Sequence, residues 1–304
     1  MTAADPTPSP VVRIRAIPAL AGLRWIRLAL RAFGRQPGGF MGMFAMFLLV
    51  MLLLSIPLAL LVPLAEAIHL SPVVASMLSL VLMPLLSLSF MLSTEAVTND
   101  LRIRPALFFA PLRASSATRR ALVQVGLVYV ALFVLAWFVG NGIDGGETAR
   151  WFTDRMMMPP PGAPEPPAPV PLSPTGQLVM ALKVAAVALG TIPLWHAPGL
   201  ILWGRYGVAK AMFASVVALW RTRAALFMFG VGWFGLSFAL TLVLTALELM
   251  LGTSVAVLAF AVMLSWALSA LFYVTLWFGF VDTFEITSPA TFRTVLAESD
   301  APGA

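Results

Sequence analysis

Phe44-Ala-Met-Phe-Leu-Leu-Val-Met-Leu-Leu-Leu54 has no polar side chain on any face. A barrel strand alternates apolar and polar residues over about ten positions, and this run does not. In hydrocarbon a chain must satisfy its own backbone hydrogen bonds, which leaves the α-helix as the only other spanning structure. A bilayer core about 30 Å thick takes roughly 20 apolar helical residues. Working outward from this segment, six runs meet that length: Gly39–Val62, Pro72–Leu92, Ala121–Gly140, Val179–Trp203, Ala225–Leu247 and Val255–Val281. Lys183 is the one formal charge inside them and His196 the one histidine. The expected fold is all-α, a polytopic membrane bundle of six transmembrane helices. It divides into a cytoplasmic tail and basic helix over 1–38, a transmembrane domain over 39–281 with a proline-rich outer loop at 141–176, and a tail over 282–304.

The composition of the 304 residues agrees with that reading. Sixty per cent are apolar and 11% charged, against about 25% charged in a soluble domain. Mean hydropathy is +0.94. The absence of cysteine excludes disulfides, thiolate metal sites and cysteine nucleophiles, and two histidines leave little for a metal cage, so no cofactor is expected. The first apolar run begins behind a long basic segment and is too long for a signal-peptide core, so an uncleaved first span is expected.

The net charge of +6 records orientation rather than an acidic partner such as nucleic acid. Sixteen of the nineteen Lys and Arg fall in segments on one side of a six-span topology; Arg150, Arg155 and Lys183 are the exceptions. By the positive-inside rule both termini are expected in the cytoplasm, with a bacterial inner membrane as the location.

Arg24, Arg27, Arg31 and Arg35 recur at steps of three and four and share one helical face, with Leu23, Ile26, Leu30 and Phe33 on a neighbouring face and Trp25 at the boundary. Such a basic amphipathic helix is expected in the headgroup layer, its arginines on anionic lipid. Similar basic stretches precede the third span, Pro105–Arg120 (PALFFAPLRASSATRR), and the fifth, Val208–Arg223 (VAKAMFASVVALWRTR), which suggests three units of interfacial helix plus hairpin. The outer loop is proline-rich over Pro159–Pro174 and reads as a flexible linker. Met156, Met157 and Met158 before it point different ways in any conformation and make a poor Cu(I) site.

The fourth span holds Gly190-Thr-Ile-Pro193-Leu-Trp195-His196-Ala-Pro198-Gly199. Two prolines remove two backbone donors and predict a break, and Pro193, Trp195, His196 and Pro198 form the candidate intramembrane site. A neutral histidine that hydrogen-bonds across to another helix is the plainer alternative. Glu66 and Glu248 are expected at the outer edge, Glu95 and Asp282 at the inner edge. Ion-coupled transport is therefore disfavoured, and the acids beside basic loops are expected to balance charge. Zincin, nucleophile-elbow and Walker patterns are absent from the sequence. Ala261, Ser265 and Ser269, with Gly232 and Gly235, are expected to let helices approach closely.

Leu23–Phe40 (LRWIRLALRAFGRQPGGF), His196–Trp203 (HAPGLILW) and Met212–Phe227 (MFASVVALWRTRAALF) resemble a family of uncharacterised multi-pass inner-membrane proteins common in β-proteobacteria. The resemblance runs from Leu23 to Phe284, excluding the proline-rich loop, and implies six helices with basic cytoplasmic helices and no assigned catalytic residues. Relatives tend to carry an asparagine after the third interfacial arginine, where this chain has Thr222 after Arg221. Three functions follow as expectations: a non-enzymatic accessory or scaffold component that binds anionic lipid, a membrane-protein partner or a second copy; an uncoupled permease using the Pro193–Pro198 break; and, least supported, a membrane enzyme.

Overall fold

The computed structural model describes residues 10–60, 78–156, 171–252 and 254–287. Six of its helices are long and apolar enough to cross a membrane, with windows at Pro37–Leu54, Leu80–Thr98, Ser116–Asp144, Pro174–Leu202, Arg223–Leu251 and Val255–Thr283. In chain order the elements are β1 (Val11–Ile14), α1 (Ala21–Arg35), α2 (Pro37–Leu60), a 3-10 turn (Leu78–Leu82) leading into α3 (Met83–Thr98), α4 (Ala106–Arg113), α5 (Ser116–Asp144) and α6 (Glu147–Met156). After these come α7 (Pro174–Thr191), a 3-10 turn (Ile192–Leu194), α8 (Ala197–Leu202), α9 (Val208–Arg221), α10 (Arg223–Leu251), α11 (Val255–Thr283) and β2 (Phe284–Thr287). The order of short helix, span and span thus occurs three times, but the short helices sit on different partners. α1 lies on α10 and α11, α4 on α3, and α9 on the broken segment of the fourth span.

The second span runs past the expected end at Leu92 to Thr98, while the expected start at 72–77 lies outside the described residues. The helix continues through Ser93 and Thr94, whose hydroxyls donate 2.8 Å bonds to the carbonyls of Ser89 and Phe90, as Ser89 does to Leu85. Back-bonding of this kind hides hydroxyl polarity from an apolar surround, so a hydropathy window ends the span too early. Glu95 consequently falls within the last turn of α3, with Oε2 buried and without a hydrogen-bond partner. The second interfacial stretch, Pro105–Arg120 before the third span, is also divided differently from the expectation. Ser115 caps a new helix by accepting from the Thr118 amide at 3.3 Å, so Ser116–Arg120 is the first turn of α5 rather than part of α4. The methionines at 157–158 and most of the proline-rich tract lie outside the described residues.

At the end of the bundle where the arginine-rich helices gather, here the basic end, β1 and β2 pair antiparallel, Val11 opposite Thr287 and Ile14 opposite Phe284. The Arg15 amide extends the ladder to the Thr283 carbonyl at 2.9 Å, and Arg15 reaches Glu285 at 3.4 Å. The strand pair is only four residues long and leaves the helical bundle as the fold.

α1 is laid across this end more deeply than an interfacial helix would be. Its buried residues are Ala21, Gly22, Trp25, Ile26, Ala29 and Ala32, whereas Leu30, expected on the apolar face, is 47% exposed. The reason is steric. Gly22, Ala29 and Ala32 are small, so the backbone of α1 approaches its neighbours along their side rather than along the leucine side. A Cβ on Gly22 would stand 2.0 Å from the Ala225 carbonyl oxygen and 2.5 Å from the Phe229 nitrogen. Gly232, expected to pack against another span, instead receives Leu23 and Ile26 of α1.

Because backbone atoms of α10 cannot step aside, Gly22→Ala is expected to cost about 2–3 kcal/mol or to unseat α1, the upper range for overpacking. Gly34→Ala, with nothing within 4 Å of the added methyl, is expected to be neutral. Thermal unfolding of the two variants in detergent compares them directly.

Candidate functional site

The two candidate groups of residues meet at the basic end. On α1, Trp25 is 3% exposed and its Nε1 donates to Asp282 Oδ2 at 2.6 Å, the same oxygen that accepts from Arg24. Arg35 donates to Asp100 at 3.2 Å and to the Val97 carbonyl at 3.4 Å. These acids balance charge, as expected from their place beside basic segments. The pairs differ in worth. Arg35 and Asp100 are both largely exposed, so their attraction is screened and small. Asp282 is mostly shielded and holds two donors, so it fixes the start of α1 over the end of α11. Arg27 and Arg31 differ from both. They are exposed, one turn apart, and have no ion pair among the described residues.

The fourth span is broken where its prolines predicted. α7 ends at Thr191, Ile192–Leu194 forms a 3-10 turn, and α8 starts at Ala197. The break is closed by a residue that the sequence reading did not single out. Ser215 of α9 donates to the Ile192 carbonyl at 3.2 Å and accepts from the His196 amide at 3.1 Å. The hydroxyl thus serves the His196 amide, which the interrupted helix leaves over, and adds a second donor to the Ile192 carbonyl beside the Trp195 amide at 3.3 Å, which is what lipid demands of irregular backbone. The visible sequence signal is only a serine among apolar residues of a basic stretch, and it does not name its partner.

Aromatic rings fill the space around the break. Trp195 meets Phe229 edge-on at 6.0 Å and Phe272 at 5.7 Å; Phe229 in turn lies 6.0 Å from Trp25, so a single ring separates the two candidate tryptophans. His196 is buried against Phe284 at 5.3 Å and Phe280 at 6.0 Å, and its Nδ1 has no hydrogen-bond partner among the described residues. Gly199 is held against Phe280, where a Cβ would stand 2.7 Å from the ring. Pro193 is part-buried and Pro198 buried in this packing. An open cavity of about 330 Å³ lies between α10 and α11, lined by Trp233, Leu268, Ser269, Phe272 and Tyr273; Phe272 is the ring it shares with the packing around Trp195.

At the opposite end Lys183 is enclosed. Its Nζ donates to Asn141 Oδ1 at 2.7 Å and to Thr148 Oγ1, its charge lies 4.6 Å from the centre of the Trp137 ring, and Thr148 donates onward to Asp144. Gly140 leaves the room: a Cβ there would stand 2.0 Å from Lys183 Cε. The lone intramembrane charge is thereby a hydrogen-bonded tie between α5, α6 and α7. Glu147, at the start of α6, accepts from the Ser173 hydroxyl and amide, and these bonds hold its carboxyl below the ordinary carboxylate range. Among the described residues no three of His, Asp and Glu gather as a metal site would require.

Two predictions follow from these geometries. Ser215→Ala is expected to cost about 1–2 kcal/mol by leaving the buried His196 amide unpaired, with faster hydrogen exchange at that amide as its local mark. A depressed carboxylate contributes stability above its unfolded pKa and loses it as pH falls through the lower folded value. The protection factor at Ser173 and through α6, which is exchange corrected for its intrinsic pH dependence, is therefore expected to stay flat from neutral pH to the ordinary carboxylate range and to fall only below it; Glu147→Gln removes that fall.

No family model matches the chain, and no solved structure does. The chain is 28% identical over 275 residues, 90% of its length, to a protein of Burkholderia thailandensis named a probable inner membrane protein, 94% of which is covered. That similarity covers nine-tenths of the chain. With the six apolar helices it supports a multi-pass inner-membrane location and agrees with the resemblance to β-proteobacterial membrane proteins.

Proposed function

We propose that this chain is a non-enzymatic component of a bacterial inner membrane that binds anionic lipid headgroups through α1 and serves as an accessory or scaffold subunit. The observation that carries the reading is the unequal use of the α1 arginines. Arg24 and Arg35 are spent on Asp282 and Asp100, which seat the helix, while Arg27 and Arg31 are left exposed and without ion pairs among the described residues. Leu30 stands exposed between them and gives the face an apolar foothold. Two guanidiniums one turn apart beside such a foothold suit phosphate at a membrane surface. The sixteen-to-three placement of Lys and Arg puts this end in the cytoplasm by the positive-inside rule, where the leaflet is anionic.

A permease reading gains no support from the break at Pro193–Pro198, which is packed with aromatic rings and closed by Ser215. The name of the Burkholderia protein carries no activity. A membrane-protein partner or a second copy is the other occupant that this face suits.

Arg27→Gln with Arg31→Gln is expected to reduce the preference for phosphatidylglycerol over phosphatidylcholine by about 2 kcal/mol, roughly 30-fold, at about 1 kcal/mol per cation. Spin-labelled lipids competing for the purified protein in nanodiscs measure that preference. Arg24→Gln, which breaks a seat contact, is expected to lower stability instead. An unchanged lipid preference in the double variant would remove the basis of the proposal.

A further inference from the structure

α9 has two apolar faces, and only one of them is used inside the protein. Ala211, Ser215, Ala218 and Leu219 are buried against the broken segment. On the opposite side Phe213 is 71% exposed, Trp220 72%, and Val216 between them is exposed as well, at spacings of three and four residues. A soluble helix end does not spend a phenylalanine and a tryptophan this way. The same spacing of exposed apolar residues resumes on the next helix with Phe227, Val231 and Phe234 of α10, which is long and apolar enough to cross a membrane. The stripe's polar companions are cations. Arg223 lies 5.4 Å from the centre of the Trp220 ring and Lys210 lies 4.0 Å from that of Tyr206. Tryptophan with a cation beside it is the arrangement of a membrane–water boundary. Depth agrees. Ser215 reaches His196, six residues short of the end of the fourth span at Leu202, roughly 9 Å along a helix.

We propose that the Phe213–Val216–Trp220 face of α9 is seated in the acyl layer of the anionic leaflet at the basic end, and that this seat holds Ser215 in the break of the fourth span. Lipid packing against one face of α9 is thereby coupled to the backbone bonds made by its other face. A leaflet that accepts the two rings keeps the break closed. One that does not accept them frees α9 to withdraw its hydroxyl from Ile192 and His196. The inference rests on the reading that the basic end meets anionic lipid, and it adds the region of the lipid and the backbone that responds to it.

The test uses the full chain in nanodiscs of phosphatidylethanolamine with phosphatidylglycerol. The native sequence has no cysteine, so Phe213→Cys and Trp220→Cys each take a single nitroxide. Collision with oxygen and with a water-soluble nickel chelate reports its surroundings. The expected result is ready access by oxygen and exclusion of nickel at both positions. Nickel access would place the face in water. Exclusion of both reagents would place it under protein, a second copy or a partner. Either result overturns the seat. Coupling is read by hydrogen exchange at the His196 amide. Phe213→Ser with Trp220→Ser is expected to accelerate it severalfold, toward the Ser215→Ala level, and unchanged exchange in a folded double variant overturns the coupling. If that variant does not assemble, the same exchange measured for the native protein in discs with and without phosphatidylglycerol decides: faster without it supports coupling, equal rates overturn it. The outcomes separate from those at Arg27 and Arg31, since lipid preference can fail there while labels at 213 and 220 remain deep.

Discussion

A backbone amide inside hydrocarbon has no water to turn to, and the His196 amide is freed where the fourth span breaks. Much of the basic end is arranged around that constraint. The hydroxyl that answers it belongs to α9, so α9 must lie against the span rather than out in the aqueous phase. α9 in turn leads directly into α10, whose N-terminal turns receive Gly22 of α1. α1 is then fixed over α11 by Trp25 and Asp282. A helix break that costs stability locally thus determines where two surface helices lie. Phe229, shared by Trp25 and Trp195, is the ring through which the two arrangements touch.

The two ends of the bundle solve different electrostatic problems. At the end holding Lys183, a single cation is taken out of water and satisfied at short range by Asn141, Thr148 and the Trp137 face, with Asp144 one hydroxyl further on. Burial there requires every donor to be met. At the basic end the charges are many and mostly exposed, and those that meet Asp282, Asp100 or Glu285 are drawn into the structure. The first is a tie between helices; the second is a surface with a few fixed points.

What the sequence made legible follows from which forces are local. Apolar length and arginine bias are properties of consecutive residues, and six spans with a proline break could be read from them. The face of α1 could not. Leucine content argued for the Leu23–Leu30 side, but close approach of backbones selected the side with Gly22, Ala29 and Ala32, and that choice depends on a helix two hundred residues away. The second span was ended too early because Ser89, Ser93 and Thr94 return their hydroxyls to their own helix, which no hydropathy scale records. Ser215 and the pairing of Val11–Ile14 with Phe284–Thr287 are long-range partnerships without a local signature. The arginine stripe itself was correctly read as one face, while the division of labour among its members required the positions of Asp100 and Asp282.

The pairing of the first strand with the last sets an order for biogenesis. α1 leaves the ribosome before any span has formed, yet its seat is built from α10 and α11, and β1 waits for β2, the final described element. Until synthesis is nearly complete, a helix with a large apolar face has no protein to bury it, and in that interval the membrane surface is its natural shelter. The seat of α1 is thus complete only when α11 is, and a chain truncated before α11 would keep five spans and the arginine bias but lack Asp282 and β2, and with them the closed basic end.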